Sequence, residues 1–411
     1  MSETNARVQA QYEAYPYPAR DPRDETKRLI TGSPSHLDEI RHHVFGGRLD
    51  LSRPFRALVA GGGTGDAAIM LAQQLADAGA ADAEVVHLDI SSASRAIAVK
   101  RAEVRGLTSS LRFADGPIER VAEVAPGPYD YIDCCGVLHH LDSPEAGLAA
   151  LAGVLKPEGG MGLMVYGTLG RTGVYPVQEA LAQLSGDLGE ADKVALAKRL
   201  VAGLPKTHWL KRNPFVGDHL TGGDAGLYDL LLHPRDRAYR VPELAAFVAS
   251  AGLAIRTWIE PARYDPDTYL SDATLRKAAL GLGPVERAAL AERLSGAMAK
   301  HIVYVLPRPR AERPDPDPAA DGAVLVLRDL DPQAVAKGLG GVLKADLGGA
   351  PWQAPLPAIA PAIIARLDGR RTVADIRADL KPADPDRFAG QVRATFAAFH
   401  AINRMLVREV R

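Results

Sequence analysis

The stretch LVAGGGTGD, residues 58–66, leaves this chain few ways to fold. An apolar run reaches Gly61, Gly62 and Gly63, then Thr64, Gly65 and Asp66, and AAIMLAQQL continues with helical spacing. Apolar run, glycine turn and periodic segment predict strand, tight turn and helix. The rhythm then repeats. From Phe55 to Tyr166 the short apolar runs FRALVA, AEVVHLDI, LRFAD, YDYIDCC and MGLMVYG alternate with helical or turn-rich sequence. That alternation predicts an α/β fold, a doubly wound, Rossmann-like parallel sheet with helices on both faces.

Three kinds of site share such a glycine turn: phosphate loops, dinucleotide folds and S-adenosyl-L-methionine (SAM) enzymes. A phosphate loop needs Lys-Ser or Lys-Thr after the glycines, and GGGTGD has neither. A dinucleotide fingerprint is spaced G-x-G-x-x-G, whereas Gly61, Gly63 and Gly65 fall one position too close. Asp89 ends the second predicted strand, where a carboxylate can accept hydrogen bonds from both hydroxyls of a ribose. The structural alternative for Asp89 is a helix N-cap, a role Ser91 or Ser92 can also fill. The third run ends in FADGPIE, the fourth in DCCGVLHHL, and an LKPEGG turn precedes the fifth.

Taken in order, the glycine motif, the acidic end of strand two, YDYIDCCGVLHHL and LKPEGG resemble a class I SAM-dependent methyltransferase over roughly residues 55–167. The resemblance implies a seven-stranded sheet whose last strand, HIVYVLP, runs antiparallel, and SAM as cofactor. It implies cofactor contacts from Gly61, Gly62, Gly63, Gly65, Asp89, Ile90, Pro117, Ile118, Cys135 and Gly136. The family often carries an acid two positions before the first glycine, and Val59 stands there instead. The arm QYEAYPYPAR is a candidate replacement: Tyr12, Tyr15 or Tyr17 would reach the SAM carboxylate, with Arg20 as a charged partner. The alternative is an arm whose tyrosines pack on the sheet edge.

Methyl transfer from a sulfonium needs alignment and exclusion of water, and a base only when the acceptor is protonated. His139 and His140 follow the fourth strand at the carboxyl edge of the sheet, where ligands collect. Either is a candidate base or acceptor contact, against a helix-start or packing role. Cys134 and Cys135 are expected as wall residues, not nucleophiles. Acceptor selection is expected in a helical insertion at about 171–240, which concentrates Arg171, Tyr175, Gln178, His219, Tyr228, His233, Arg235 and Tyr239. Tyr175 is the candidate catalytic residue among these. A solvated helical cap is the competing reading.

The expected organisation is an N-terminal arm over 1–50, a SAM-dependent methyltransferase domain over 51–306, an extended Pro-rich linker over 307–322 and a small α+β module over 323–411. The linker should let the module be removed without opening the sheet. Through RLDGRRTVADI the module resembles winged-helix-like domains appended to bacterial protein-lysine methyltransferases and to peptide-modifying enzymes. It lacks a strongly basic recognition helix, and 49 Lys and Arg against 50 Asp and Glu give no electrostatic reason to expect nucleic acid. The module suggests protein contact or a homodimer, and a protein or peptide acceptor ahead of a small molecule. A non-catalytic SAM-binding regulator is the reading from another class, and a nucleotide-sugar or NAD enzyme the remote third. No segment has 18 uninterrupted apolar residues, the start lacks a secretory core, and two adjacent cysteines form neither a disulfide nor a zinc framework. No membrane, no metal and a cytoplasmic location are the expectations.

Overall fold

The computed structural model describes residues 3–409. Seven strands form one sheet: β1 Phe55–Ala60, β2 Ala83–Asp89, β3 Leu111–Asp115, β4 Tyr129–Cys135, β5 Leu155–Tyr166, β6 Leu253–Trp258 and β7 Lys300–Pro307. Their spatial order is β3-β2-β1-β4-β5-β7-β6. Pairing is parallel from β3 across to β5, and β7 runs antiparallel to both β5 and β6. The doubly wound sheet with its antiparallel last strand is thus present.

Strand alternation explains the two layers of core. Leu58, Ala60, Ile132 and Cys134 face a cluster that includes Leu148, Leu151, Leu244 and Val248 of the helices Pro144–Gly153 and Val241–Ser250. Their neighbours Ala57, Val59 and Tyr131 face the opposite layer, with Leu37, Ile40, Ile69 and Leu71. A strand buried on both sides has no polar face, which is why β1 reads as a continuous apolar run. The carboxyl ends of β1, β2 and β4 converge at the crossover between β1 and β4, the position where open α/β sheets bind ligands.

One element differs from expectation. LKPEGG is not a separate turn but the first half of the long β5, which slips register between Leu155, opposite Tyr129, and Gly160, opposite Tyr131. The arm carries the helix Glu3–Ala14, followed by the short helical segments Pro22–Thr26, Leu37–Glu39 and Ile40–Val44. The module contains an antiparallel hairpin, β9 Val342–Asp346 with β10 Pro351–Pro355. The rest of the module pairs β8 Ala323–Leu327 with β11 Met405–Glu409 and packs the helices Ala360–Ile364, Val373–Leu380 and Pro385–Ala401 into their own core.

The segment after β7 is not a free extended linker. It forms a short helix, Arg308–Ala311, and is tied down on two sides. Arg256 of β6 donates to the carbonyl of Ala311 at 3.0 Å and pairs with Asp315. Arg310 reaches the carbonyls of Gly159 at 2.6 Å and Val44 at 2.7 Å. The module itself is locked to the catalytic sheet through Glu39, a fully buried carboxylate. Glu39 accepts from Arg328, from Asn403 at 2.7 Å and from Tyr304 of β7 at 2.9 Å. Cutting after residue 322 would take Arg328 and Asn403 away from Glu39 and uncover the surface that now buries it. Sheet and module are therefore one packed unit, and the expectation that the tail detaches cleanly is corrected.

Candidate active site

The turn after β1 is shaped by close approach. Gly61 (φ +72°) lies against Val137, so that a Cβ there would sit 2.3 Å from the valine side chain. Gly63 (φ +49°) faces the Tyr17 carbonyl, which a Cβ would meet at 2.6 Å. Both positions demand glycine twice over, for conformation and for space. The arm is stitched onto this turn: Thr64 Oγ1 donates to the Pro18 carbonyl at 2.7 Å, and Arg20 forms a two-point ion pair with Asp66, the shorter contact 2.6 Å. Arg101 reaches the same carboxylate at 2.7 Å.

Behind the turn lies a cavity of about 420 Å³, within the range of cofactor sites. Of the predicted cofactor residues, Gly61, Gly62, Gly63, Asp89, Ile90, Pro117, Ile118, Cys135, Gly136 and Tyr17 all line it. Gly65 does not: at φ +102° it opens the helix Asp66–Asp77 and packs beside Ala98. Asp89 is oriented by backbone donors, Gly63 N–H at 2.7 Å and Ser91 N–H at 2.8 Å. Ser91, not Asp89, caps the next helix by accepting from Ser94 N–H. The carboxylate thus keeps lone pairs for the cavity. Burial pushes the Cys135 thiol up to about 12 and that of Cys134 well above its usual value, as suits inert wall residues.

The tyrosines of the arm go to different places. Tyr12 and Tyr17 line the cavity, whereas Tyr15 stacks on Tyr228 with ring centroids 5.3 Å apart. Arg20 is committed to Asp66 and is not a spare cation for a ligand.

The missing acid at Val59 has a neighbour. Asp133 of β4 pairs with Val59 in register, so both side chains leave the sheet on the same face, and both line the cavity. Asp133 is buried, accepts from Ser35 Oγ at 2.6 Å and has no ion-pair partner among the described residues. Desolvation raises its carboxyl to about 7. A carboxylate in the middle of the apolar run YDYIDCC was the signal that sequence reasoning passed over.

The far end of the cavity is built by His140, Tyr166, Tyr12 and Asp229. Asp229 comes from the helix Gly223–Leu231 and accepts from Tyr12 at 3.1 Å and Tyr166 at 3.0 Å. It is buried, and burial raises its carboxyl. His140 Nδ1 lies 2.6 Å from the Arg235 carbonyl, which can only accept, so Nδ1 carries the proton and Nε2 the lone pair. That Nε2 has no protein partner. Asp229 sits in GLYDLLL, a carboxylate within an apolar helical stretch, and sequence analysis missed it.

Two candidate catalytic residues lie elsewhere. His139 is wholly buried against Tyr166 (centroids 4.0 Å apart) and does not line the cavity. Tyr175 is held outside by Asp236, around which Arg171, Gln178 and Tyr175 gather. Of the insertion residues expected to select an acceptor, Arg171, Tyr175 and Gln178 satisfy one another, Tyr228 bonds Glu190 and Tyr239 joins the sheet core. The insertion reaches the cavity through Asp218 and Asp229 instead.

His140, Asp229 and His233 bring potential metal-ligating atoms within 4.8 Å of one another. The hydrogen bonds argue against a metal there. His233 Nδ1 accepts the Arg235 backbone N–H at 3.1 Å, so the neutral ring carries its proton on Nε2, the nitrogen a metal would need bare.

A family profile described as a methyltransferase domain matches residues 58–161, the segment that builds the glycine turn, Asp89 and the β4 end. The chain belongs to the class I SAM-dependent methyltransferases. Over a longer span, the methyltransferase is 32% identical across 311 residues to the uncharacterized protein syc1184_c of Synechococcus sp., covering 73% of this chain and 71% of the relative. It is 31% identical over 141 residues to the ubiquinone biosynthesis O-methyltransferase of Bordetella bronchiseptica. That match covers 34% of this chain and about half (52%) of the relative's length. In fold the methyltransferase is similar to PKMT2 from Rickettsia typhi in complex with AdoHcy, with TM-score 0.63 and 13% identity over 93% of this chain and 77% of that one.

Proposed function

We propose that this methyltransferase modifies a side chain of a protein or peptide. SAM, when bound, supplies an activated methyl group. The glycine cradle, in which a Cβ at Gly61 or Gly63 would collide with Val137 or the Tyr17 carbonyl, leaves space for such a ligand. In this reading Asp89 accepts the ribose hydroxyls, and Ile90, Pro117 and Ile118 flank the base. Gly61, Cys135 and Gly136 border the amino-acid end, and Asp133 receives its ammonium in place of the absent acid at Val59.

The observation that favours a protein acceptor is the position of the module. It contributes no residue to the cavity wall among those described. Yet the tip of its hairpin reaches the insertion: a Cβ on Gly349 would lie 3.3 Å from the Phe215 ring, three residues from the exposed, cavity-lining Asp218. A wall beside the mouth, and not inside the cavity, suits an acceptor too large to enter whole. The fold likeness to PKMT2 spans this module as well, since it covers 93% of the chain.

A small-molecule acceptor is the second reading, favoured by the sequence match to ubiquinone O-methyltransferases. Incubating the full chain with methyl-labelled SAM and a cell lysate separates the two. We expect acid-insoluble, protease-sensitive label; label confined to the small-molecule fraction would contradict the proposal.

A further inference from the structure

Asp229 poses an electrostatic problem. It is almost completely buried, yet no Arg or Lys pairs with it among the described residues; its hydrogen bonds come from the hydroxyls of Tyr12 and Tyr166. A buried carboxylate without a cation is costly unless a ligand supplies the charge. The only other charged group of the insertion on the cavity wall is Asp218, at the exposed mouth, so an entering ligand meets negative charge at both points. Around Asp229 stand the aromatic walls of Tyr12, Tyr166 and His140. One face of Tyr166 already carries the Arg171 guanidinium, 3.8 Å from the ring centroid, and His140 stacks on His233, so the pull on an organic cation comes from the unpaired carboxylate of Asp229.

We propose that this end of the cavity is an amine subsite, in which Asp229 receives the protonated nitrogen of the methyl acceptor. The proposal rests on the methyltransferase reading and deepens it by naming the acceptor class. A protonated amine has no free lone pair and must give up one proton before its nitrogen can bond the methyl carbon that SAM would release, the sulfur keeping the electron pair of the broken bond. His140 is placed to take it. Its Nδ1–H is engaged by the Arg235 carbonyl at 2.6 Å, its Nε2 is bare, buried and without a protein partner, and it shares the cavity wall with Asp229. The proton therefore passes from the ammonium to His140 Nε2, and Asp229 stays ionised to hold the imidazolium that results. Neither a hydroxyl nor a carboxylate acceptor fits as well: the first leaves the charge of Asp229 uncompensated, and the second adds another negative charge beside it.

The test is direct binding to the full chain saturated with AdoHcy, followed by line broadening of the probe in ligand-observed NMR. The probes are n-butylammonium, n-butanol and butyrate at equal concentration. We expect broadening for n-butylammonium alone. Asp229→Asn should weaken that binding at least about tenfold, as for loss of a charge-assisted contact, while AdoHcy binds the variant as it binds the wild type. Equal binding of n-butanol, preference for butyrate, or no binding of n-butylammonium would each overturn the proposal. These comparisons use wild-type protein and do not depend on the variant folding. A loss of AdoHcy affinity in a folded Asp229→Asn protein would also overturn it, by assigning Asp229 to the cofactor. Failure of wild-type protein to bind AdoHcy at all would instead refute the cofactor assignment.

Discussion

Val59 and Asp133 sit side by side on neighbouring strands, and in the proposed reading Asp133 receives the ammonium of the cofactor in place of the acid absent at Val59. The register puts the Asp133 carboxylate on the same face of the sheet as the Val59 side chain. Burial raises Asp133 to about 7 and leaves it without a counter-ion, so an ammonium arriving beside it stabilises the ionised form. Lys300, at the start of β7 on the same cavity wall, offers a positive group with no ion-pair partner among the described residues. Asp133→Asn should therefore weaken AdoHcy binding roughly tenfold, worth about 1.4 kcal/mol. It should leave 5′-methylthioadenosine, which lacks the amino-acid end, bound as before. Calorimetric titration of both ligands checks this, and a parallel loss for the two would make Asp133 a structural residue. The sequence showed Val59 as a gap but not what filled it, because register across a sheet is a tertiary fact.

The elements were legible to very different degrees. FRALVA and YDYIDCC are strands with the bounds their apolar runs suggested, because strands buried on both faces carry the plainest composition; the edge strand LRFAD keeps its bounds as well. The hairpin β9–β10 left no such trace. Its residues alternate between exposed and half-buried, and Pro351 and Pro355 bracket one strand, so the pattern resembles a loop. The insertion was recognised as helical and polar, yet its most conspicuous groups were misread as ligand contacts. Arg171, Tyr175 and Gln178 converge on Asp236, a pairing that spans some sixty residues of sequence. Of the two polar residues of the insertion that do reach the cavity, Asp218 and Asp229, the second lies in the apolar stretch GLYDLLL and looked like part of a packed helix. Sequence composition marks which side chains are polar; only the fold decides whether they satisfy one another or wait for a ligand.

At the scale of the molecule, the module and the catalytic sheet share a buried histidine cluster as well as Glu39. His42 and His43 of the N-terminal segment meet His400 and Phe396 of the module, with centroid separations of 5.0 Å for His42–His400 and 5.7 Å for His43–His400. Burial holds His42 down to about 3, with His400 and Arg256 adding repulsion; burial also lowers His43 and His400. Asp315 alone among the charged groups acting on this cluster draws His400 the other way. The unfolded chain protonates its histidines near about 6.5. Above that pH neither state binds the protons and stability is complete; as pH falls towards 3 the unfolded state takes them up first. Each imidazole then removes up to about 1.4 kcal/mol per pH unit. Asp133 and Asp229, whose carboxyls are raised, act with the opposite sign but are outnumbered, since burial also lowers His87, His139 and His233. Thermal melts should show a midpoint several degrees lower at pH 5 than at pH 7.5; an unchanged midpoint would mean the cluster is not closed. The catalytic reading as a whole rests on one claim, that the cavity behind the glycine turn is the SAM site and that Asp89 grips the ribose. Calorimetric titration of AdoHcy into the full chain and into Asp89→Ala tests it most directly. Loss of that acceptor is expected to lower affinity at least about tenfold, consistent with a charge-assisted hydrogen bond of roughly 1.5–3 kcal/mol, with the ligand-free protein still folded. Undiminished affinity in Asp89→Ala would contradict the assignment.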